Sequence, residues 1–263
     1  MRKLYASMLG AFIMLPVIAA AQSALDGTWK IDLTQAQLTQ KPDTYLLQSG
    51  IYECKSCVPP IRVNADAVGH AVTGHPYFDT VSVKVVDAHS IAITQSRGGT
   101  VVSTEKITVS ADGTSAKTEF SDRTATNALP VTGASEMTRV AKGPAGSHVI
   151  SGSWRTTKFA NVSDNGLTFT YKTDGDMLTM TSPTGQSFSA KMDGKFVAYN
   201  GDPGVLSVAI RRIDRHTFEE TDRNGAKTVS VNRMTVAADG ATMQMLIHDT
   251  LHGATMTLVA VKE

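Results

Sequence analysis

The sequence predicts an all-β protein of two tandem antiparallel up-and-down barrels, with a two-sheet β-sandwich as the competing architecture. Three observations lead there. First, residues Ile61–Asp122 recur without a gap 127 positions later as Phe188–Asp249. Within Thr80–Gly113 and Ser207–Gly240, twelve of thirty-four aligned pairs are identical, where random pairing gives roughly two on average usage. They include Val81/Val208, Asp87/Asp214, His89/His216 and Gly113/Gly240, so the chain is a tandem duplication. Second, apolar residues alternate with polar ones, as in Val81, Val83 and Val85 or Leu167, Phe169 and Tyr171, the period of a half-buried strand. Third, turn pairs recur every ten or so residues: Asp112-Gly113, Asn165-Gly166, Asp174-Gly175, Asp193-Gly194, Asn224-Gly225 and Asp239-Gly240. Asn and Asp tolerate left-handed backbone angles and Gly has no Cβ to oppose them, so such pairs close two-residue hairpins. Closing each set of strands into a barrel removes the exposed edges that a flat meander leaves.

In chain order, Met1-Arg2-Lys3 is a short positive head, and Leu4–Ala20 is apolar and uncharged. Ala19-Ala20-Ala21 then supplies the small-residue cleavage pattern of a secretory signal peptide. Residues 1–21 are therefore expected to be a cleaved leader and the protein periplasmic or secreted; the apolar run is too short for a comfortable membrane span. Removing two positive charges takes the formal net charge from +1 to −1. A near-neutral chain without a basic run has little counterion-release drive toward nucleic acid or anionic lipid. Aromatic residues are 6% of the chain, so stacking platforms for sugars or bases are scarce.

Gly27-Thr28-Trp29-Lys30 opens the first repeat on a strand, and Gly152-Ser153-Trp154-Arg155 opens the second, displaced by 125. Leu33–Lys41 reads equally as one helical turn or a loop. Between the halves, Lys142-Gly-Pro-Ala-Gly-Ser-His148 is linker-like. The expected division is a first barrel repeat over residues 22–142, a linker at 143–148 and a second repeat over 149–263, each half closing on its own strands.

The Gly-x-Trp motif, present as Gly27-Thr28-Trp29 and Gly152-Ser153-Trp154, resembles the opening strand of a lipocalin or related calycin barrel. That resemblance implies that each Trp closes one barrel end and that an Arg of the last strand packs across it. Arg139 is similar to that Arg and is expected over Trp29, whereas Leu258 stands at the corresponding place in the second half. The chain as a whole also resembles exported bacterial proteins of uncharacterised function, which implies export and no particular activity.

Cys54-Lys55-Ser56-Cys57 with His70 and His75 matches a zinc-finger spacing. The repeat opposes that reading, since the second copy builds the same frame without ligands. It also places His70 beside a hairpin turn about 25 Å from the cysteines at 3.3 Å per residue. A disulfide between Cys54 and Cys57 is expected instead, because residues i and i+3 of a turn have suitable Cα spacing and an exported protein meets an oxidising compartment. Val58-Pro59-Pro60 forbids the helix that a redox-active thiolate needs. His89 and His216 recur in Asp-x-His-Ser/Thr and read as turn residues, and His248 and His252 lack an evident third ligand. Ser103 and Lys106, three apart on a strand, face opposite ways, as do neighbours Glu219 and Glu220. No catalytic residue, metal site or cofactor is therefore expected. The functional expectation is a non-enzymatic extracytoplasmic protein that binds a small apolar or amphipathic ligand in a lipocalin-like barrel. The alternatives are a structural or interaction module of the cell envelope and, third, an enzyme built on Cys54/Cys57 or a metal.

Overall fold

The computed structural model describes residues 23–124 and 128–263; the expected signal peptide lies outside them. The protein is all-β, with two nearly closed ten-stranded antiparallel barrel-like sheets. The strands are β1 (Gly27–Thr39), β2 (Asp43–Gln48), β3 (Ile51–Cys54), β4 (Ile61–Asn64), β5 (His70–Ala71), β6 (Thr80–Val85), β7 (Ser90–Arg97), β8 (Thr100–Val109), β9 (Ser115–Asp122) and β10 (Val131–Lys142). They continue as β11 (Gly152–Ala160), β12 (Thr168–Asp174), β13 (Met177–Thr181), β14 (Ser187–Lys191), β15 (Val197–Ala198), β16 (Ser207–Arg212), β17 (Thr217–Asn224), β18 (Lys227–Val236), β19 (Thr242–Asp249) and β20 (Ala254–Lys262). The only helical turn among the described residues is a 3-10 turn at Asp164–Gly166. No helix among them is long and apolar enough to cross a membrane.

The strands are not apportioned as the repeat boundaries suggested. The first barrel runs β4-β3-β2-β11-β10-β9-β8-β7-β6-β5, and the second β14-β13-β12-β1-β20-β19-β18-β17-β16-β15. Each repeat gives its Gly-x-Trp strand to the other's barrel. The expectation that 22–142 and 149–263 close separately is therefore corrected. The first barrel is the contiguous stretch 43–160, and the second is 168–262 completed by the N-terminal strand. Residues 143–148 are not a linker between barrels; they connect β10 to β11 inside the first. The chain passes between barrels at 40–42 and 161–167. The physical reason is loop closure: β10 reaches β11 through a nine-residue connection, whereas pairing β10 with β1 closes a loop of roughly a hundred residues at greater entropic cost.

At the other side of each barrel, single matched bridges, Asp66 with Lys84 and Asp193 with Arg211, span the remaining gap and sit 127 residues apart like the repeats. Two cores result. Val81, Val83, Ile91, Ile107, Ile150 and Trp154 fill the first, and Leu25, Trp29, Val208, Ile210, Phe218 and Met234 fill the second. The Leu33–Lys41 stretch, undecided from sequence, continues β1 as far as Thr39 past a bulge between Asp32 and Gln37.

Candidate functional site

The two Trp residues hold matching places in the two barrels, each paired with the last strand, Trp154 with Arg139 and Trp29 with Lys262. Both are 0% exposed. The Trp154 indole donates to the Ile150 carbonyl at 2.8 Å and the Trp29 indole to the Leu25 carbonyl at 2.7 Å. Gly152, which precedes Trp154 by two, has φ +126°, and a Cβ there would lie 2.2 Å from the Ala141 carbonyl oxygen. The motif's glycine is required both by backbone angle and by space.

The partner of each Trp differs from expectation. Arg139 lies over Trp154, 3.9 Å from the ring centroid, not over Trp29. Its guanidinium also donates to the Gly113 carbonyl and, at 2.8 and 2.6 Å, to those of Ser151 and Val149. In the second barrel Lys262, not Leu258, lies over Trp29 at 4.8 Å. Register explains this: Arg139 pairs with Trp154 and Lys262 with Trp29, so the last strands correspond with an offset of 123 rather than the 119 that sets Leu258 opposite Arg139.

Cys54 and Cys57 form a disulfide, with Cα atoms 5.4 Å apart. Both sulfurs being committed to each other, the CxxC-His-His zinc set is not assembled: His70 pairs with Asp66 at 2.8 Å and His75 stacks on Phe78. His89 and His216 occupy matching turns, their backbone N–H groups donating to Asp87 and Asp214 at 2.8 Å. His248 meets Thr255 and His252 meets Asp249. Ser103 is buried while Lys106 is exposed, on opposite faces of β8.

The polar chemistry of the barrels lies at the ends away from the Trp residues, and sequence reasoning passed over it. Paired residues of β17 and β18 form three layers from the Trp end to the mouth: Phe218 with Met234, Glu220 with Asn232, and Asp222 with Ser230. Alternation sends Phe218, Glu220 and Asp222 inward together, and Glu220 and Asp222 are 9% and 6% exposed. Asn232 donates one amide group to Glu220 at 3.0 Å and to Asp222 at 3.1 Å, and Ser230 donates to Asp222 at 2.5 Å. Burial, then the neighbouring Asp222, pushes the Glu220 carboxyl up to about 8; burial also raises Asp222. Glu220 borders a cavity of about 200 Å³ walled by Phe169, Tyr171, Met180, Tyr199 and Met245, with Thr184 and Gln186 at its rim.

The first barrel carries Ile91/Ile107, Ile93/Glu105 and Gln95/Ser103 in the same layers. Its mouth holds a cavity of about 190 Å³ bordered by Tyr45, Tyr52, Glu105, Asp43 and the disulfide, with His252 of the other barrel at its edge. Burial raises Glu105, with further contributions from Asp122 and Asp43. A third depression, of about 450 Å³, opens at the Trp154 end between residues 47–50 and 146–149. The signal for the buried acids was present in the duplication: Glu220 and Asp222 stand where the first copy has Ile93 and Gln95. A charge replacing an inward-facing Ile in one copy of a repeated frame marks a position not chosen for packing.

No model of a known protein family matches the chain, and no curated protein matches it in sequence.

Proposed function

We propose that the protein is an extracytoplasmic, non-enzymatic binding protein, lipocalin-like in design, that holds a small amphipathic molecule in a barrel mouth. The observation that carries this reading is the make-up of the two mouth cavities. Each sets aromatic and aliphatic walls against a buried carboxyl group, the division of labour expected of a ligand pocket. At about 190 and 200 Å³ they are smaller than the ~300–1,000 Å³ of drug-sized sites. They are slightly larger than the roughly 150 Å³ cavity that accepts benzene, so the ligand is a single ring or short chain with one polar end. The leader-like N-terminus and the Cys54–Cys57 disulfide support an oxidising, exported setting.

The test is native mass spectrometry of protein purified from its own compartment, followed by ligand-detected NMR with small aromatic and aliphatic fragments. Added mass or saturable fragment binding, reduced by the mouth-blocking change Thr184→Trp, is the expected result. Protein that retains nothing and binds no fragment at millimolar concentration would overturn the reading.

A further inference from the structure

The acid pair of the second barrel is short of donors and of positive charge. Among the described residues, the ion pairs of the protein include neither Glu220 nor Asp222. Among the described residues their side-chain hydrogen-bond partners are the neutral Asn232 and Ser230. Two acceptor atoms beside them, Asp222 Oδ1 and Asn232 Oδ1, are buried and receive no hydrogen bond. The titratable groups that feel the pair from neighbouring segments are Tyr171, Tyr199, Tyr77 and Asp202, none of them cationic.

The frame itself does not need these acids. The first barrel builds the same layers with Ile93 and Gln95 on β7 and a single acid, Glu105, across on β8, and burying two unpaired carboxylates side by side is costly. What would satisfy them is a group with several donors, no acceptor and one positive charge. Two like charges this close are not both ionised, so the pair presents about one net negative charge. A metal ion is a poorer match, because among the described residues no three His, Cys, Asp or Glu side chains gather.

We propose that the second barrel selects a small organic ammonium ion, its head on Glu220, the acid that borders the cavity, with Asp222 linked to it through Asn232, and its apolar tail against Phe169, Tyr171 and Met245. An ammonium offers three donors and no acceptor. This deepens the binding-protein reading and rests on it.

The experiment uses the full-length mature protein, with calorimetry and ligand-detected NMR on phenethylammonium and hexylammonium set against 2-phenylethanol and hexanol. The ammonium ions should bind at least about tenfold tighter than the alcohols of the same shape. The variant Glu220→Ile with Asp222→Gln installs the first barrel's own residues and should abolish the preference for ammonium over alcohol. Glu220→Gln, nearly isosteric, serves the same purpose should the double change fail to fold. Equal binding of ammonium and alcohol, or a preference that survives these changes, would overturn the inference and leave the binding-protein reading standing. Failure of all four compounds to bind would sink the ammonium site and, unless other fragments bind, the general reading with it.

Discussion

Deleting the N-terminal strand should unfold one barrel and spare the other. In a chain that starts at Asp43, the first barrel keeps all ten strands, whereas the second loses β1 from between β12 and β20. The loss is large. Leu25 and Trp29, both 0% exposed, leave the closed end of the core, and emptying such sites costs about 2–5 and 3–5 kcal/mol respectively. The ladders to β12 and β20 go with them, as does the Asp26 carboxylate that accepts the Thr173 N–H at 2.6 Å and its hydroxyl at 2.7 Å. A loss of about 5–10 kcal/mol from the two side chains alone rivals a typical domain's whole stability of roughly 5–15 kcal/mol. Two unpaired edges, β12 and β20, are exposed at the same time. Amide NMR spectra of separate 43–160 and 161–263 fragments read the effect directly. The first fragment should be dispersed and melt cooperatively; the second should be unfolded until a peptide of residues 23–39 is added. A 161–263 fragment that folds unaided, or a 43–160 fragment that does not, would refute the strand assignment.

Other expectations concern single sites. Arg139→Leu should destabilise the first barrel by about 2–4 kcal/mol, from the lost contact with Trp154 and the carbonyls left unpaired; Lys262→Leu should cost the second barrel less, about 1 kcal/mol. Thermal melts of each variant check both. Replacing Cys54 and Cys57 by Ser should cost at most about 2 kcal/mol, since the disulfide closes a loop of very few residues; denaturant midpoints measure this. Because the folded state holds the Glu220 proton up to about pH 8 against an ordinary 4.5, the folded form binds more protons across that window. Stability should therefore be greatest below about pH 4.5 with respect to this group and fall as pH rises toward 8, by at most about 5 kcal/mol at 1.36 per pKa unit. Glu220→Gln should flatten that slope in melts from pH 5 to 8.5. Both Trp residues should emit in the blue and resist iodide, which free quenching would contradict.

The fold was largely legible because period-two alternation and Gly-containing turns are local signals, and the duplication multiplied them. Which strand closes which barrel was not legible. A tandem repeat read from sequence has no phase: the unit can be cut before or after its Gly-x-Trp strand with equal internal similarity, and only loop entropy and docking decide. The same blindness put Leu258 opposite Arg139, an offset of 119 where the strand pairing gives 123, since the shortening before β20 cannot be measured where side chains no longer align. At the candidate site, the search for Glu pairs compared adjacent Glu219 and Glu220, which face apart, and missed Glu220 with Asp222, which a strand's alternation sets side by side. Glu105 was missed for a related reason, as one inward acid on β8 matches no catalytic spacing.

The closure of the second barrel by β1 brings the two ends of the described chain together: the Glu263 N–H donates to the Thr28 carbonyl at 2.9 Å, and Lys262 reaches the Ala24 carbonyl at 3.5 Å. Topologically the molecule is a ring with a nick. Joining Glu263 to Ser23 by a short flexible bridge and reopening the chain at 161–167 would yield a permuted polypeptide with every strand in its present place. In that order each barrel becomes one uninterrupted segment, 168–262 running on through 27–39, then 43–160. The crossing at 161–167 disappears, and only the one at 40–42 is left to join the two barrels.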